Sequence, residues 1–273
     1  SLSQSTETSY KNVRKKLIDF CNAKGYNYKM DINKVNLEFV NLFRGYMVTD
    51  LKLEGGTSRK YFGLLGTILK EAKKNGKLFH NPFDNKPDYP KETQAEMEYL
   101  TPEEVTRMMK GKGYIDNTYP LHGNAFMFMI FTGIRSADCK TLQWKHLPIK
   151  EGQLYIEKLT GKKRVPIAFP IPPIANQYLP KRMGQADYVF PNLRFENEHN
   201  KELRLWATKS NVTKHVHPHI TRHSFAAYHL GKGTTLFTLS KLMGHTNVRT
   251  TADKYGHLDQ SHTEQAMKNA FNF

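Results

Sequence analysis

The amino-acid sequence predicts a mainly α protein with a small β-sheet or hairpin (α+β), built as an all-helical first domain and a mixed, mostly helical second one. Three observations carry that prediction. Apolar residues recur at helical spacing over most of the chain, one pair of strand-like runs flanks a central glycine, and a proline-punctuated polar stretch separates the two textures.

The elements follow in order. Residues 13–24 place Val13, Leu17, Ile18 and Phe20 at helical spacing and stop at Gly25; residues 35–47 do the same with Leu37, Phe39, Val40, Leu42 and Phe43. Residues 58–74 carry Tyr61, Phe62, Leu64, Leu65, Ile68 and Leu69 and end at Asn75-Gly76, a good helix stop. Lysines and arginines (Lys15, Lys16, Arg59, Lys60, Lys70, Lys73, Lys74) decorate these helices, which predicts a small α domain with a basic face. Residues 81–90 hold three prolines and no periodicity, so they read as a linker. Thr101-Pro102-Glu103-Glu104 then starts a new helix, with Thr101 as N-cap and Glu104 closing a capping box. The boundary falls near residue 95, giving domains 1–94 and 95–273. In the second domain, residues 153–157 and 164–169 form a basic hairpin around Gly161, and helices resume over 173–178, 221–230, 236–243 and 261–271.

Charge narrows the function. The 273 residues contain 41 Lys+Arg against 25 Asp+Glu, a formal net charge of +16 with pI near 9.6. Residues 1–100 hold 17 basic and 12 acidic side chains, net +5, and residues 101–273 hold 24 and 13, net +11. Both halves are basic, so a polyanion is the expected partner along the whole molecule rather than on a tail. The two cysteines, Cys21 and Cys139, make neither a metal-ligand spacing nor a disulfide framework and predict a reducing cytoplasm. The longest apolar stretch, residues 125–134, is too short to span a bilayer, so no membrane partner is expected.

The chemistry concentrates in the second domain. Thr132-Gly133-Ile134-Arg135-Ser136-Ala137-Asp138 places an arginine after a turn glycine, with Ser136 able to cap the next helix and Asp138 placed to orient the guanidinium. His219-Ile220-Thr221-Arg222-His223 sets His219 and Arg222 three apart, on one face of a helix start. Leu242-Met243-Gly244-His245 follows, and ten residues after His245 comes Tyr255. Two guanidiniums, two imidazoles and a phenol can hold a phosphodiester and attack it without a metal. Four histidines, His215, His217, His219 and His223, also allow a metal-binding reading, against which no carboxylate or cysteine lies near them in sequence.

In that order and with those neighbours, the strings resemble the tyrosine recombinase (phage-type integrase) family of mobile elements. The resemblance is strong over residues 100–260 and looser over the N-terminal helices, which resemble a core-DNA-binding domain. It implies a site-specific recombinase with Arg135, Lys158, His219, Arg222, His245 and Tyr255 as catalytic residues. Arg135 and Arg222 would clamp the phosphate, His219 would move a proton, and His245 would bond a phosphate oxygen. Tyr255 would form a 3′-phosphotyrosine, with no metal, no cofactor and no ATP. His223 and Ser224 match the common form of the box and are expected to be structural. The family's leaving-group lysine sits on the hairpin, where Lys158 aligns eight residues before Pro166 and Lys162 is the alternative. Between His245 and Tyr255 the chain has one residue more than many members. The implied partners are double-stranded DNA core sites, a homotetramer on DNA and a Holliday-junction intermediate, and the 265–273 tail either docks on a neighbouring copy or packs on its own core. Two rivals are a type IB topoisomerase-like enzyme and a non-catalytic DNA-binding protein on a recombinase scaffold; mere binding would not need Tyr255.

Overall fold

The computed structural model describes residues 4–91, 97–161 and 164–259, and the chain divides into two compact units, Ser1–Glu96 and Met97–Phe273. In the first unit, helix α1 spans Gln4–Lys24 and α2 Leu37–Gly45; α2 runs on into a wider π-helical turn, Tyr46–Asp50, and α3 spans Gly55–Lys74. Asn36 caps α2 by accepting the Phe39 N–H, as a short polar residue before an apolar periodic run should. The helices bury an aromatic core in which Phe20 meets Phe39, Phe43 and Tyr46 at ring distances of 5.2–5.5 Å.

The proline-rich stretch expected as a linker is packed structure instead. Pro82–Asn85 forms a 3-10 turn, and the Phe83 and Tyr89 rings lie 5.0 and 5.2 Å from Phe62 of α3. Gly66 makes this docking possible, since a Cβ there would lie 2.9 Å from the Phe83 ring. Arg59 stacks over Tyr89 and Arg44 donates to the Asp88 carbonyl. The lack of periodicity hid two aromatic anchors.

The second unit opens with α4, Pro102–Lys110, and its capping box is formed as expected: Thr101 Oγ1 accepts the Glu104 N–H and Glu104 accepts the Thr101 N–H at 2.7 Å. Helices α5 (Gly113–Asp116) and α6 (Pro120–Thr132) follow. Helix α6 is apolar on all sides and is buried from Ala125 to Ile130, so it forms the centre of the unit. It ends at Gly133, whose φ of +63° needs a glycine and whose Cβ would strike Phe225 at 2.4 Å. Helix α7 (Ser136–Lys140) then leads to a three-stranded antiparallel sheet in the order β1-β2-β3: Ile149–Lys150, Gln153–Thr160 and Val165–Pro170. Strand β2 runs three residues longer than its apolar pattern indicated and β3 keeps its expected length one residue further on, with Thr160 paired to Val165 and Lys158 to Ile167. Strand β1 carries no sequence signal of its own, being a two-residue addition exposed on both positions.

Helix α8 (Pro173–Asn176) and α9 (Asn197–Lys209) close the far side. The sequence pattern left α9 unassigned because only Leu203, Trp206 and Ala207 of its thirteen residues are buried. Its anchor is Trp206, fully buried, with the indole N–H donated to the Met108 carbonyl at 3.1 Å. Helices α10 (Ile220–Gly231), α11 (Leu236–Leu242) and α12 (Val248–Tyr255) follow, and a 3-10 turn, Gly256–Asp259, ends the described chain. The helix expected over 261–271 lies outside the described residues. No described helix is long and apolar enough to cross a membrane.

Candidate active site

The site forms where the start of α7, the hairpin, the start of α10, the α11–α12 turn and α12 converge. Arg135 is the residue before α7, with Ser136 the first helical residue; no side chain caps this helix, so the capping role expected of Ser136 is not realised. The Arg135 guanidinium donates to the Gly244 carbonyl at 3.2 Å and lies 3.6 Å from Asp138 Oδ2. Asp138 does more than orient it, because its Oδ1 accepts the Gly161 N–H at 3.0 Å and ties the hairpin turn to α7. Gly244, at φ +61°, permits close approach here: a Cβ would meet Thr160 Oγ1 at 2.6 Å and Ile167 at 2.9 Å.

Arg222 is 4% exposed, which for a guanidinium requires several acceptors. It finds them in the carbonyls of Gly133, at 2.7 Å, and Met243, and in His245 Nε2 at 3.0 Å. Burial, with Arg135 nearby, pushes its pKa down, and Tyr255 and Asp138 oppose that shift. A guanidinium has no lone pair, so His245 Nε2 must be the acceptor and Nδ1 carries the ring proton, donated to Thr251 Oγ1 at 2.8 Å. Burial and the nearby cations Arg222, Arg135 and Lys254 hold His245 down to about 4, so its ring is neutral.

His219 stands at the head of α10, with Nε2 3.3 Å from the Lys254 ammonium and its ring 4.7 Å from His223. Partial burial of the ring, then Lys254, Arg222, His217 and Arg135, brings it to about 4. His223 is buried and shares a 3.1 Å hydrogen bond with the Tyr255 hydroxyl. Ser224 accepts the Leu100 N–H and donates to the Ile220 carbonyl, tying the entry of the second unit to α10. Tyr255 ends α12 with its ring 1% exposed; burial raises the phenol to about 12, against the pull of Arg222 and Arg135.

A cavity of about 390 Å³ opens on this cluster, lined by Arg135, Thr160, Gly161, Val165, Gly244, His245, Thr246 and Thr250. Lys158 is not among its walls. Its ammonium donates to the Thr141 carbonyl at 3.0 Å, and the residue borders a neighbouring cleft with His146 and Arg164. Burial, partly offset by Asp138, lowers its pKa. The alternative, Lys162, lies outside the described residues. The structure therefore gathers Arg135, His219, Arg222, His245 and Tyr255 and sets Lys158 one cleft away. Among the described residues no three His, Cys, Asp or Glu side chains come together in a way that could hold a metal ion.

Two contributors escaped sequence reasoning. Thr251, fully buried, holds His245, and Lys254 holds His219. Thr251 lies four residues before Tyr255 on the same helix face, a spacing that was available as a signal. Nothing in the sequence marked Lys254 as different from its many fellow lysines.

Two guanidiniums, imidazoles and a phenol gathered in this way fit the tyrosine site-specific recombinase class. Residues 98–262 match the Phage integrase family model and residues 1–89 the Phage integrase SAM-like domain. The chain belongs to the phage integrase, or tyrosine recombinase, family. It is 25% identical over 273 residues to tyrosine recombinase XerC of Oceanobacillus iheyensis (94% of this chain, 87% of that protein). It is 24% identical over 202 residues to a tyrosine recombinase of Thermosipho africanus (72% of this chain, 70% of that protein). Among solved structures, its fold is similar to a lambda integrase dimer bound to a COC′ core site, with a TM-score of 0.70, 15% identity, and 93% of this chain and 89% of that one covered. It is also similar to the Tn1549 transposon integrase in complex with a circular intermediate DNA, with a TM-score of 0.69, 16% identity, and 97% and 95% covered.

Proposed function

We propose that this protein is a mobile-element integrase that cleaves and rejoins double-stranded DNA at core sites through a 3′-phosphotyrosine at Tyr255. The observation that carries the reading is the connected cluster in which Arg135 and His245 line one cavity, Arg222 bonds His245 from behind it, and Tyr255 is bonded to His223 one residue further along α10. Arg135 and Arg222, both already aligned by backbone carbonyls, neutralise the charge that builds on the pentacoordinate phosphorus, as an oxyanion hole does. Neutral His219 accepts the phenol proton as Tyr255 Oη bonds to phosphorus; the bond to O5′ breaks, and a hairpin lysine, Lys158 or Lys162, protonates the leaving oxygen. Attack by a partner strand's 5′ hydroxyl reverses the step. The phosphotyrosine conserves the bond energy, so these side chains and the hairpin lysine suffice without ATP or a divalent metal.

Tyr255 must leave the core to react. Its burial and its bond to His223 describe a resting arrangement, and DNA engagement releases the end of α12. The helical first unit supplies the second half of the DNA grip as a core-binding domain, which its match to the SAM-like domain supports. Strand exchange then proceeds in a homotetramer through a Holliday junction. Two buried, unpaired cysteines fit a reducing cytoplasm.

The deciding experiment offers the protein a nicked suicide duplex carrying its candidate core site, with EDTA and no ATP. An SDS-resistant adduct mapped to Tyr255, absent in Tyr255→Phe, is the expected result. Tight binding with no adduct would leave a scaffold protein, and relaxation of supercoils by a monomer would favour a topoisomerase.

A further inference from the structure

The three histidines of the site are each held by one side chain of α12. Thr251 bonds His245, Lys254 bonds His219, and Tyr255 bonds His223. The middle contact has a chemical consequence. An ammonium has only protons to offer, so the Lys254 contact to His219 Nε2 requires a lone pair on that nitrogen and the ring proton on Nδ1. Nε2 is thereby turned toward the helix that carries the nucleophile, one residue from Tyr255.

The surroundings make Lys254 effective in this role. The charged groups that face His219 are Lys254 from α12, Arg222 of its own helix, Arg135 at the start of α7 and, when protonated, His217 just upstream; the His223 ring packs against it. Each lowers its affinity for a proton, and among the described residues no carboxylate forms an ion pair with Lys254. Desolvation and then Arg222 lower Lys254 itself, and its ammonium is placed against His219 Nε2 at 3.3 Å.

We propose that Lys254 is a positioning residue for His219. It holds the ring neutral, with the Nε2 lone pair facing α12, until the Tyr255 hydroxyl takes its place as the donor. The step is a simple exchange: the N–H···N contact from Lys254 breaks, the O–H···N contact from Tyr255 forms, and the phenol proton then passes to Nε2 while Lys254 keeps its own. This rests on the recombinase reading for its catalytic meaning, but the tautomer it requires belongs to the free protein.

The test therefore has two independent arms, each run on the full chain as wild type, Lys254→Met and Lys254→Arg. In the DNA-free protein with 15N-labelled histidine, the His219 signals should report a protonated Nδ1 and an unprotonated Nε2. Lys254→Met should mix the tautomers and raise the titration midpoint by about one pH unit, and Lys254→Arg should restore both. In the suicide-substrate assay, the acid limb of adduct formation should move up by about one pH unit in Lys254→Met, roughly tenfold slower below the limb and only about twofold slower on the plateau, where the loss is the fraction of His219 in the wrong tautomer. A uniform loss at every pH, or a His219 tautomer indifferent to residue 254, overturns the proposal. If the wild type forms no adduct, the recombinase reading fails, and the labelled-histidine arm still decides whether Lys254 sets His219.

Discussion

The two units solve the burial problem in opposite ways. In the first, the core is apolar and aromatic, and the only buried polar side chains described are Ser58 and Asn81. The second hides Arg222, His223, Asp138, Ser224, Thr251 and His122 within or beside its core. The DNA grip proposed for the first unit needs only stable helices with basic exteriors, and interchangeable hydrophobic contacts provide them. A unit that must aim cations and a phenol at one atom cannot leave them on long, solvated side chains. It buries Arg222 and Tyr255 and satisfies the first with two carbonyls and an imidazole and the second with an imidazole, since an unpaired buried polar group costs about 1–3 kcal/mol.

Substitutions can separate the two modes, and the largest effect should come from the smallest change. Tyr255→Phe should abolish the covalent adduct while altering unfolding free energy by only about 0.5–1.5 kcal/mol, the worth of one hydrogen bond; denaturant titration beside the adduct assay checks both. Arg222→Ala should slow cleavage by about 10²–10³, as loss of a transition-state donor does, and should also destabilise, because the Gly133 and Met243 carbonyls lose their donor. Phe62→Ala reverses the pattern: it should cost about 3–5 kcal/mol in the first unit by opening a cavity beneath Phe83 and Tyr89. Hydrogen exchange resolved by unit would show that loss confined to residues 1–96, and spreading into α12 would break the comparison. Gly244→Ala should destabilise by roughly 1–3 kcal/mol and lower adduct yield together, since its Cβ would push the hairpin off Arg135.

The mildest test uses pH. His122 is buried, stacked 4.1 Å from His199, and brought down to about 4 by burial first and His199 second. The unfolded chain takes up a proton at this residue near pH 6.5 while the folded chain stays neutral until about 4. Its stabilising contribution is therefore present above pH 6.5 and is lost as pH falls toward 4. Melting temperature should decline across that window, and His122→Phe should flatten the decline by a few degrees. An unchanged slope would remove His122 from the account.

Much of this molecule was legible in its residues. Helical periodicity marked α2, α3, α10 and α11 to within a few positions, because each buries one apolar stripe. Thr101 and Glu104 announced α4 through chemistry local to four residues. Helix α9 and strand β1 stayed silent, one anchored by few buried residues and the other by pairing alone. Arg135, His219, Arg222, His245 and Tyr255 could be singled out because five unusual side chains in a fixed order are hard to explain otherwise. Lys158 and Lys162 could not be separated, because a hairpin lysine's role depends on where the turn points.

By itself, then, the sequence determined the α+β class, the basic character, the family and the residues that can carry the chemistry, since propensity, capping and charge act over a few residues at a time. Only the tertiary structure decided that residues 81–90 are packed, that Asp138 ties the hairpin to Arg135, that Arg222 is sunk among carbonyls, and that α12 occupies all three histidines with Thr251, Lys254 and Tyr255. These facts depend on distances between residues far apart in the chain, and such distances are set by the packing of whole elements against one another.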